Sequence, residues 1–288
     1  MTALFLIPLL LAGVKPAGPA PQPAVKWEEC FEVAQLKARK SGKPMVVDFW
    51  AGWCGWCDRL NATTYVEPSV VKAAQDFVAV KVDTEGTDAE RAVAERYEVT
   101  SLPTILFLSP EGRQLVRVNG FQSGYVFSRS MKEALSIAGA VIEWEQALAR
   151  DPGDARALGA LGEHLYETGM QLGQQQCLDE ARELLLQAVM RDHKQPIVDR
   201  RRSRMLLAIL ENADRRFDAA ERLVKDALSL KPGDEDDAAR LLFVLGRTYL
   251  SAGRTDESVA TFQIIVREYP QSPLAQKARE TLVNLPPR

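Results

Sequence analysis

The chain has 288 residues, which is long for one compact domain and favours two domains that each bury a core. Its 36 Lys and Arg residues nearly balance 39 Asp and Glu residues, so there is no basic field of the kind that collects nucleic acid. Its four cysteines are too few for a disulfide-stapled scaffold. These features indicate an ordinary globular protein and exclude a nucleic-acid partner.

Residues 1–23 differ from the rest of the chain. An apolar run from Leu4 to Val14 precedes a Pro- and Ala-rich tract that cannot hold a helix. The run is shorter than the about 20 apolar residues that a membrane span needs, and it is typical of a secretory signal. We therefore expect this segment to direct export, either cleaved or retained as an anchor. The alternative is a disordered tail on a cytoplasmic protein.

Residues 24–139 alternate between helical and strand patterns. WEECFEVAQLKARKSGKP predicts a helix, and PMVVDFW after it is typical of a buried strand. The later segments are EPSVVKAAQD (helix), FVAVKVD (strand), TDAERAVAERYEV (helix), PTILFL and QLVRVNG (strands) and SGYVFSRSMKEALSIAG (helix). This order predicts an α/β domain, a mixed sheet with helices on both faces.

Residues 140–288 are helical throughout and carry a repeated pattern, which predicts an all-α domain of tetratricopeptide-like helix pairs. The clearest frame consists of Leu242, Leu245, Gly246, Tyr249, Ser258, Phe262 and Pro270. Two earlier segments repeat the frame less cleanly, and residues 272–283 are expected to cap the array. The alternative is an unrelated helical bundle.

The stretch WAGWCGWC at residues 50–57 carries the clearest chemistry. Two cysteines three residues apart can close a disulfide in the first turn of a helix. The helix N-terminus lowers the thiol pKa of the first, so Cys54 is expected to attack and Cys57 to resolve the mixed disulfide. The alternatives are a metal site, which needs four ligands where the sequence offers no second cysteine pair, and two inert buried thiols.

These residues carry a family resemblance. VDFWAGWCGWC resembles the thioredoxin signature, and residues 24–139 resemble the thioredoxin fold throughout. The segments TTYVEPSVV, SLPTILFLSPEG and RVNGF are most similar to the C-terminal, periplasmic thioredoxin-like domain of the DsbD disulfide reductases. The resemblance implies a thiol:disulfide oxidoreductase that acts on protein disulfides or thiols, without cofactor or metal. We expect it to work as a reductant in the periplasm and to draw electrons from a membrane donor.

The resemblance also implies roles for single residues. Asp48 would accept the proton of Cys57, and burial in an apolar strand should raise its pKa. A solvent-facing Asp at a strand edge is the alternative. Pro103 matches the family's cis-proline, which presents the backbone of Leu102 to an extended substrate. The complete predicted substrate-binding set is Trp53, Gly55, Trp56, Leu102, Pro103 (cis) and Thr104. Trp53 is expected to cover an edge of the site, with core burial as its alternative.

The sequence departs from the thioredoxin pattern at several positions. Gly55-Trp56 replaces the Gly-Pro of thioredoxin, which leaves the direction of electron flow open. Lys81 is expected to stand in for the lysine that thioredoxins place near the buried Asp. Asn61 lies where the DsbD domain carries an acidic residue. Outside the motif, Cys30 is expected to be a small core residue in the first helix, and Cys177 to be the more exposed cysteine.

Helix-pair repeats bind proteins, so we expect a protein partner on residues 140–288. The run DRRRSR at 199–204 is either a binding stripe for acidic partners or a solvated helix face. A thioredoxin domain followed by repeats also resembles the YbbN co-chaperones. That resemblance supports the alternative of an interaction protein that uses the thioredoxin fold as a binding platform.

Overall fold

The computed structural model describes residues 24–230 and 235–285. The export segment expected at 1–23 lies outside them. Within the described ranges, no helix combines the length and the apolar character that crossing a membrane requires.

A four-stranded mixed sheet forms the centre of the N-terminal half. Its spatial order is β2-β1-β3-β4, with β1 and β2 parallel and the other two pairings antiparallel. The central strand β1 is the apolar run of the sequence and is buried along most of its length, as expected for a strand covered on both faces. The strands are β1 (Met45–Trp50), β2 (Val78–Asp83), β3 (Thr104–Leu108) and β4 (Gln114–Asn119).

Helices cover both faces of this sheet, which confirms the predicted α/β architecture. One face packs Val47 and Phe49 against the first and fourth helices, while the other packs Val46 against Leu60 and the long fifth helix. The elements are α1 (Phe31–Ser41), α2 (Gly55–Arg59), a π-helical turn (Leu60–Thr64), α3 (Pro68–Ala73), a 3-10 turn (Ala74–Asp76), α4 (Asp88–Arg96) and α5 (Gly124–Arg150).

The first helix begins later than its sequence pattern suggests. Cys30 is its N-cap and has an extended backbone, so Trp27 lies in the segment before the helix. This segment runs along the outer edge of β2, where Glu28 forms a parallel bridge with Val80. The apolar residues 25 and 27 are therefore available to cover the side of the sheet that carries Asp48.

Helix α5 connects the sheet to the helical repeats. It runs unbroken through residues 139 and 140, where the sequence predicts the domain boundary. Phe127 and Met131 belong to the same core cluster as Leu161 of the next helix. The sheet and the first repeat therefore share a continuous core.

The C-terminal region is all helical, as predicted. Small residues lie where paired helices approach most closely: a Cβ on Gly246 would lie 2.8 Å from Cε1 of Phe262, and a Cβ on Gly162 would lie 2.9 Å from Cγ of Leu185. The helices are α6 (Ala155–Leu172), α7 (Gln175–Arg191), α8 (Ile197–Ala213), α9 (Phe217–Ser229), α10 (Glu235–Ser251), α11 (Thr255–Glu268) and α12 (Pro273–Val283), with a 3-10 turn at Asp192–Lys194.

Most of the arginine-rich run at 199–204 is engaged within the protein, and among its arginines only Arg202 keeps an exposed side chain, at 49%. Each of its four arginines pairs with a carboxylate from another element, and Arg201 is almost fully buried. The pairs are Arg200 and Arg204 with Asp192, Arg201 with Asp237 and Arg202 with Glu163. These arginines therefore connect neighbouring repeats.

Candidate redox site

The two cysteines of the motif form a disulfide at the start of α2. Cys54 is the N-cap of the helix and Cys57 lies in its first turn, with 2.06 Å between the sulfurs. The backbone N–H of Cys57 donates a hydrogen bond of 3.2 Å to Sγ of Cys54. In the reduced protein the same N–H would stabilise a thiolate on Cys54, because anions are favoured by the free N–H groups of a helix start.

Asp48 lies in the middle of β1, fully buried and on the sheet face covered by the turn that follows α2. Its Oδ2 accepts a hydrogen bond of 2.9 Å from Nζ of Lys81, its partner on β2. Its Oδ1 has no hydrogen-bond partner among the described residues. Burial raises the pKa of Asp48, and the positive charge of Lys81 opposes that rise. The solvent-facing alternative is excluded, and the raised pKa suits a group that takes up a proton.

The ammonium group of Lys81 is held from several sides. Besides Asp48 it donates to Oδ1 of Asn61 at 2.7 Å. Three aromatic rings surround it, with centroids at 5.1 Å (Trp27), 5.8 Å (Trp50) and 5.4 Å (Tyr65). Such rings attract a cation through their negative faces, so they help to hold the ammonium group in place beside Asp48.

The peptide bond between Leu102 and Pro103 is cis. Thr104 follows at the start of β3 and pairs with Phe49 near the end of β1, so the cis-proline lies beside the strand that leads into the disulfide loop. Thr104 is buried and donates its hydroxyl to the carbonyl of Ser101 at 2.7 Å. The structure thus places 102–104 at the end of the sheet from which the disulfide loop departs.

The tryptophans of the motif are exposed at the surface next to the disulfide. Trp53 is 69% exposed, which excludes core burial, and its Nε1 donates to Oε1 of Glu85 at 2.8 Å. Trp56 is 54% exposed, and its ring lies 5.6 Å from that of Phe121. The guanidinium of Arg59 lies over both of these rings. Gly55, between the two cysteines, is exposed and has open space around its Cα.

The sequence does not predict the part that several residues play in this environment. Phe121 and Tyr65 stand inside the segments that carry the family resemblance, but their spacing indicates no role. Trp27 fits the pattern of the first helix, although it lies before that helix. Glu85 and Arg59 have no motif of their own, and only the folded chain brings them to the tryptophans.

The remaining cysteines differ from expectation. Cys30 is exposed, because an N-cap lies outside the buried face of its helix. Cys177 is half-buried against the core, and burial, assisted by Glu180 and Glu98, raises its pKa to about 11. Neither forms a disulfide. The expected order of exposure is therefore reversed.

The histidines were also candidates for metal ligands. In the parts of the chain that the structure describes, no three His, Cys, Asp or Glu side chains lie together as a ligand group. His164 contacts the backbone carbonyl of Gln114 in β4 through Nε2 at 3.1 Å. This contact joins α6 to β4 at the junction between the sheet and the repeats.

Comparison with known families agrees with the fold. Residues 31–135 match the family described as a thioredoxin-like domain, and residues 212–282 match the tetratricopeptide repeat family. The chain therefore contains a thioredoxin-like domain with a CxxC disulfide, followed by a helical region with tetratricopeptide-like repeats.

Two bacterial proteins illustrate the similarity to curated relatives. The chain is 32% identical over 105 residues to the thiol:disulfide interchange protein DsbD of Escherichia coli, a match that covers 35% of this chain and 19% of that protein. It is 31% identical over 138 residues to the protein of the same name from Ralstonia nicotianae, covering 44% of this chain and 23% of that protein. The chain thus matches less than a quarter of the length of either relative.

Solved structures show more distant similarity. A thioredoxin from Thermus thermophilus is 23% identical with a TM-score of 0.37, and the match covers 41% of this chain and 92% of that one. An oxidoreductase named DsbH is 24% identical with a TM-score of 0.35, covering 44% of this chain and 96% of that one.

Proposed function

We propose that this protein is a thiol:disulfide oxidoreductase that uses the Cys54–Cys57 couple to reduce disulfides in protein substrates. The observation that carries the proposal is the disulfide at the start of α2, with a backbone N–H directed at Sγ of Cys54. Its position in a thioredoxin-like domain and the similarity to thiol:disulfide interchange proteins support the same activity.

The reduced protein would act in two steps. The Cys54 thiolate attacks one sulfur of the substrate disulfide, forming a mixed disulfide and releasing one substrate thiolate. Cys57 then passes its proton to Asp48 and attacks Sγ of Cys54, which restores the observed disulfide and releases the second substrate thiolate. Two electrons leave the protein, so a donor must reduce the pair again. We infer that this donor is a membrane dithiol.

The same site would bind an extended substrate strand. The backbone of Leu102, which precedes the cis-proline, would pair with the residues around the substrate cysteine. Trp53 and Trp56, the neighbours of Cys54 and Gly55 in the motif, offer exposed apolar surface to the same substrate. Thr104 anchors the loop through its hydrogen bond to Ser101. We assign these residues to substrate binding, and Asp48 to proton transfer.

The repeats would recruit a protein partner. An open groove of about 670 Å³ lies between α8, the start of α10 and the turn before α12. Arg202 and Arg240 line it from two helices and Tyr269 from the turn. Its mixed charged and aromatic lining suits a polypeptide. We place the protein in the periplasm or on a membrane facing it, on the strength of the N-terminal segment.

Trapping of mixed disulfides tests the proposed reaction. Reduced Cys57→Ser should hold a substrate covalently on Cys54, because the resolving thiol is gone, whereas Cys54→Ser should hold none. Non-reducing electrophoresis with a disulfide-containing peptide measures both. The enzyme interpretation fails if the two variants trap equally, or if wild-type reduced protein leaves the peptide disulfide intact.

A binding platform is the second candidate function. It is favoured by the exposed side chains of Trp53 and Trp56 beside the disulfide and by that of Tyr125 at the start of α5, which is 73% exposed. A chaperone of this kind should suppress aggregation of an unfolded protein equally well when both Cys54 and Cys57 are replaced by Ser. A dedicated reductase should show little such activity with or without its cysteines.

A further inference from the structure

The chain after the active-site helix makes one π-helical turn, and this turn aims Tyr65 into the protein. The N–H of Tyr65 donates to the carbonyl of Leu60, five residues earlier, at 3.0 Å. One π turn shifts the register of all later side chains, and such turns are frequent at functional sites. Tyr65 is almost fully buried as a result.

The ring of Tyr65 is held in place on two sides. Trp27 packs edge-on at 4.8 Å between centroids, and Phe127 of α5 packs edge-on at 5.7 Å. The backbone N–H of Val25 donates to the carbonyl of Tyr65 at 3.0 Å, which ties the N-terminal segment to the same residue. The hydroxyl therefore has little freedom to leave its position.

Two polar atoms in this region are buried, and neither has a hydrogen-bond partner of good geometry. They are the hydroxyl of Tyr65 and Oδ1 of Asp48. Buried polar atoms are almost always paired, so two unpaired atoms in one region require an explanation. Lys81 already occupies Oδ2 of Asp48, which leaves Oδ1 as the acceptor still available.

The two groups also influence each other electrostatically. Burial raises the pKa of Tyr65 well above its usual range, and the Asp48 carboxylate raises it further through its charge and as a hydrogen-bond acceptor. In the other direction, the Tyr65 hydroxyl opposes the rise that burial causes in the pKa of Asp48. Tyr65 therefore stays protonated and is a donor by default.

We propose that Tyr65 is a positioning residue for Asp48, whose hydroxyl donates to Oδ1 when the carboxylate is ionised and releases it when Asp48 holds a proton. The proposal deepens the proposed function, because it rests on Asp48 as the acceptor of the Cys57 proton. During that transfer the S–H bond of Cys57 breaks and an O–H bond forms on Asp48. Tyr65 keeps its own proton and stabilises the carboxylate that waits for the transfer.

Few other groups can titrate around Asp48. Lys81 faces it from β2 and Tyr65 from the end of the π-helical turn, and Ile105 is its apolar partner on β3. Asn61 and the Trp27 ring reach Lys81 but carry no titrating proton in this range. The sulfurs of Cys54 and Cys57 do not titrate while they form the disulfide. In the oxidised protein, the effect of Tyr65 on the protonation of Asp48 can therefore be measured without a titrating cysteine beside it.

The test follows protonation of Asp48 in the oxidised full-length protein by the infrared band of its carboxyl group. Asp48→Asn assigns the band. The variant Tyr65→Phe keeps the ring and removes the hydroxyl. The midpoint of the Asp48 titration should then move up by about one pH unit, because the ionised Asp48 carboxylate loses a hydrogen bond. The matched control is Tyr97→Phe, whose hydroxyl donates to the carbonyl of Gly112 at 2.9 Å and which should leave the midpoint unchanged.

The proposal is overturned if folded Tyr65→Phe titrates at the wild-type midpoint, or if Tyr97→Phe shifts it equally. If Tyr65→Phe does not fold, NMR of the wild-type protein provides the test. The resonance of the Tyr65 hydroxyl proton should move downfield as Asp48 ionises, and a resonance that does not move rejects the proposal. Neither measurement depends on catalytic turnover. A protein that shows the expected change in the Asp48 titration or in the Tyr65 resonance, but has no reductase activity, would contradict the proposed function and leave the role of Tyr65 standing.

Discussion

Lys81 and Asp48 face each other across neighbouring parallel strands, with Nζ 2.9 Å from Oδ2. The carboxylate is fully buried, and the lysine side chain keeps 22% of its surface exposed. The buried proton acceptor Asp48 is therefore in contact with the partly hydrated ammonium group of Lys81. This contact influences how readily Asp48 ionises.

Replacement of Lys81 by Met should move the pH profile of the resolving step to higher pH. Burial already raises the pKa of Asp48, and loss of the opposing charge would raise it further. At neutral pH less of the carboxylate would be ionised, so mixed-disulfide resolution should slow by about tenfold. Rapid-quench measurements between pH 5 and 9 give the profile. Lys72→Met, on helix α3, is the control and should keep the wild-type profile.

Asp48→Asn should separate catalysis from stability. Without the proton acceptor, resolution by Cys57 should slow by about 10²-fold or more. The folded-state pKa of Asp48 is raised, so its ionisation weakens the wild-type fold as pH rises through that pKa. The stability of the variant relative to wild type should therefore increase between pH 5 and 8. Urea unfolding at both values measures the difference, and a constant or declining difference would contradict a raised pKa.

The two cysteines outside the motif should differ sharply in reactivity. In the disulfide form, iodoacetamide at pH 8 should label Cys30, which is exposed, and leave Cys177, whose pKa is raised to about 11. Peptide mass spectrometry identifies the labelled site. After reduction Cys54 should join Cys30 as a labelled residue. Rapid labelling of Cys177 in the folded protein would contradict the burial of this side chain and its raised pKa.

The junction between the sheet and the repeats rests on a buried ion pair. Nη1 of Arg113 lies 2.9 Å from Oε1 of Glu145, which also accepts the hydroxyl of Ser109 at 2.6 Å. Arg113→Met leaves this carboxylate without its cation and should lower the free energy of unfolding by about 3 kcal/mol. Arg91→Met, which removes an exposed pair with Asp88, should cost less than about 1 kcal/mol. Urea unfolding compares them, and equal losses would show that the junction is not stabilised by this pair.

The sequence predicted best what depends on local pattern. The apolar runs became strands β1, β2 and β3, and the close approach of Gly246 to Phe262 explains the repeat frame in which both stand. The disulfide at Cys54 and Cys57 follows from their spacing. These features depend on residues that are near one another in the chain.

The features that the sequence missed depend on distant partners. The arginines at 200–204 look like a solvated face until Asp192, Glu163 and Asp237 approach them from other elements. The π-helical turn has no pattern of its own, so nothing in the sequence shows that Tyr65 turns toward Asp48. Helix α5 continues past Gly139 because no proline or turn residue stops it there.

The equilibrium reduction potential of the Cys54–Cys57 pair tests the central claim most directly. Dithiothreitol and glutathione buffers set the redox state, and the fluorescence of Trp53 and Trp56 beside the disulfide reports it. A reductant should show one reversible two-electron transition near the value of thioredoxin, about −270 mV. A midpoint near the value of DsbA, about −120 mV, would contradict the proposed direction of electron flow. Absence of a reversible transition would contradict the oxidoreductase account altogether.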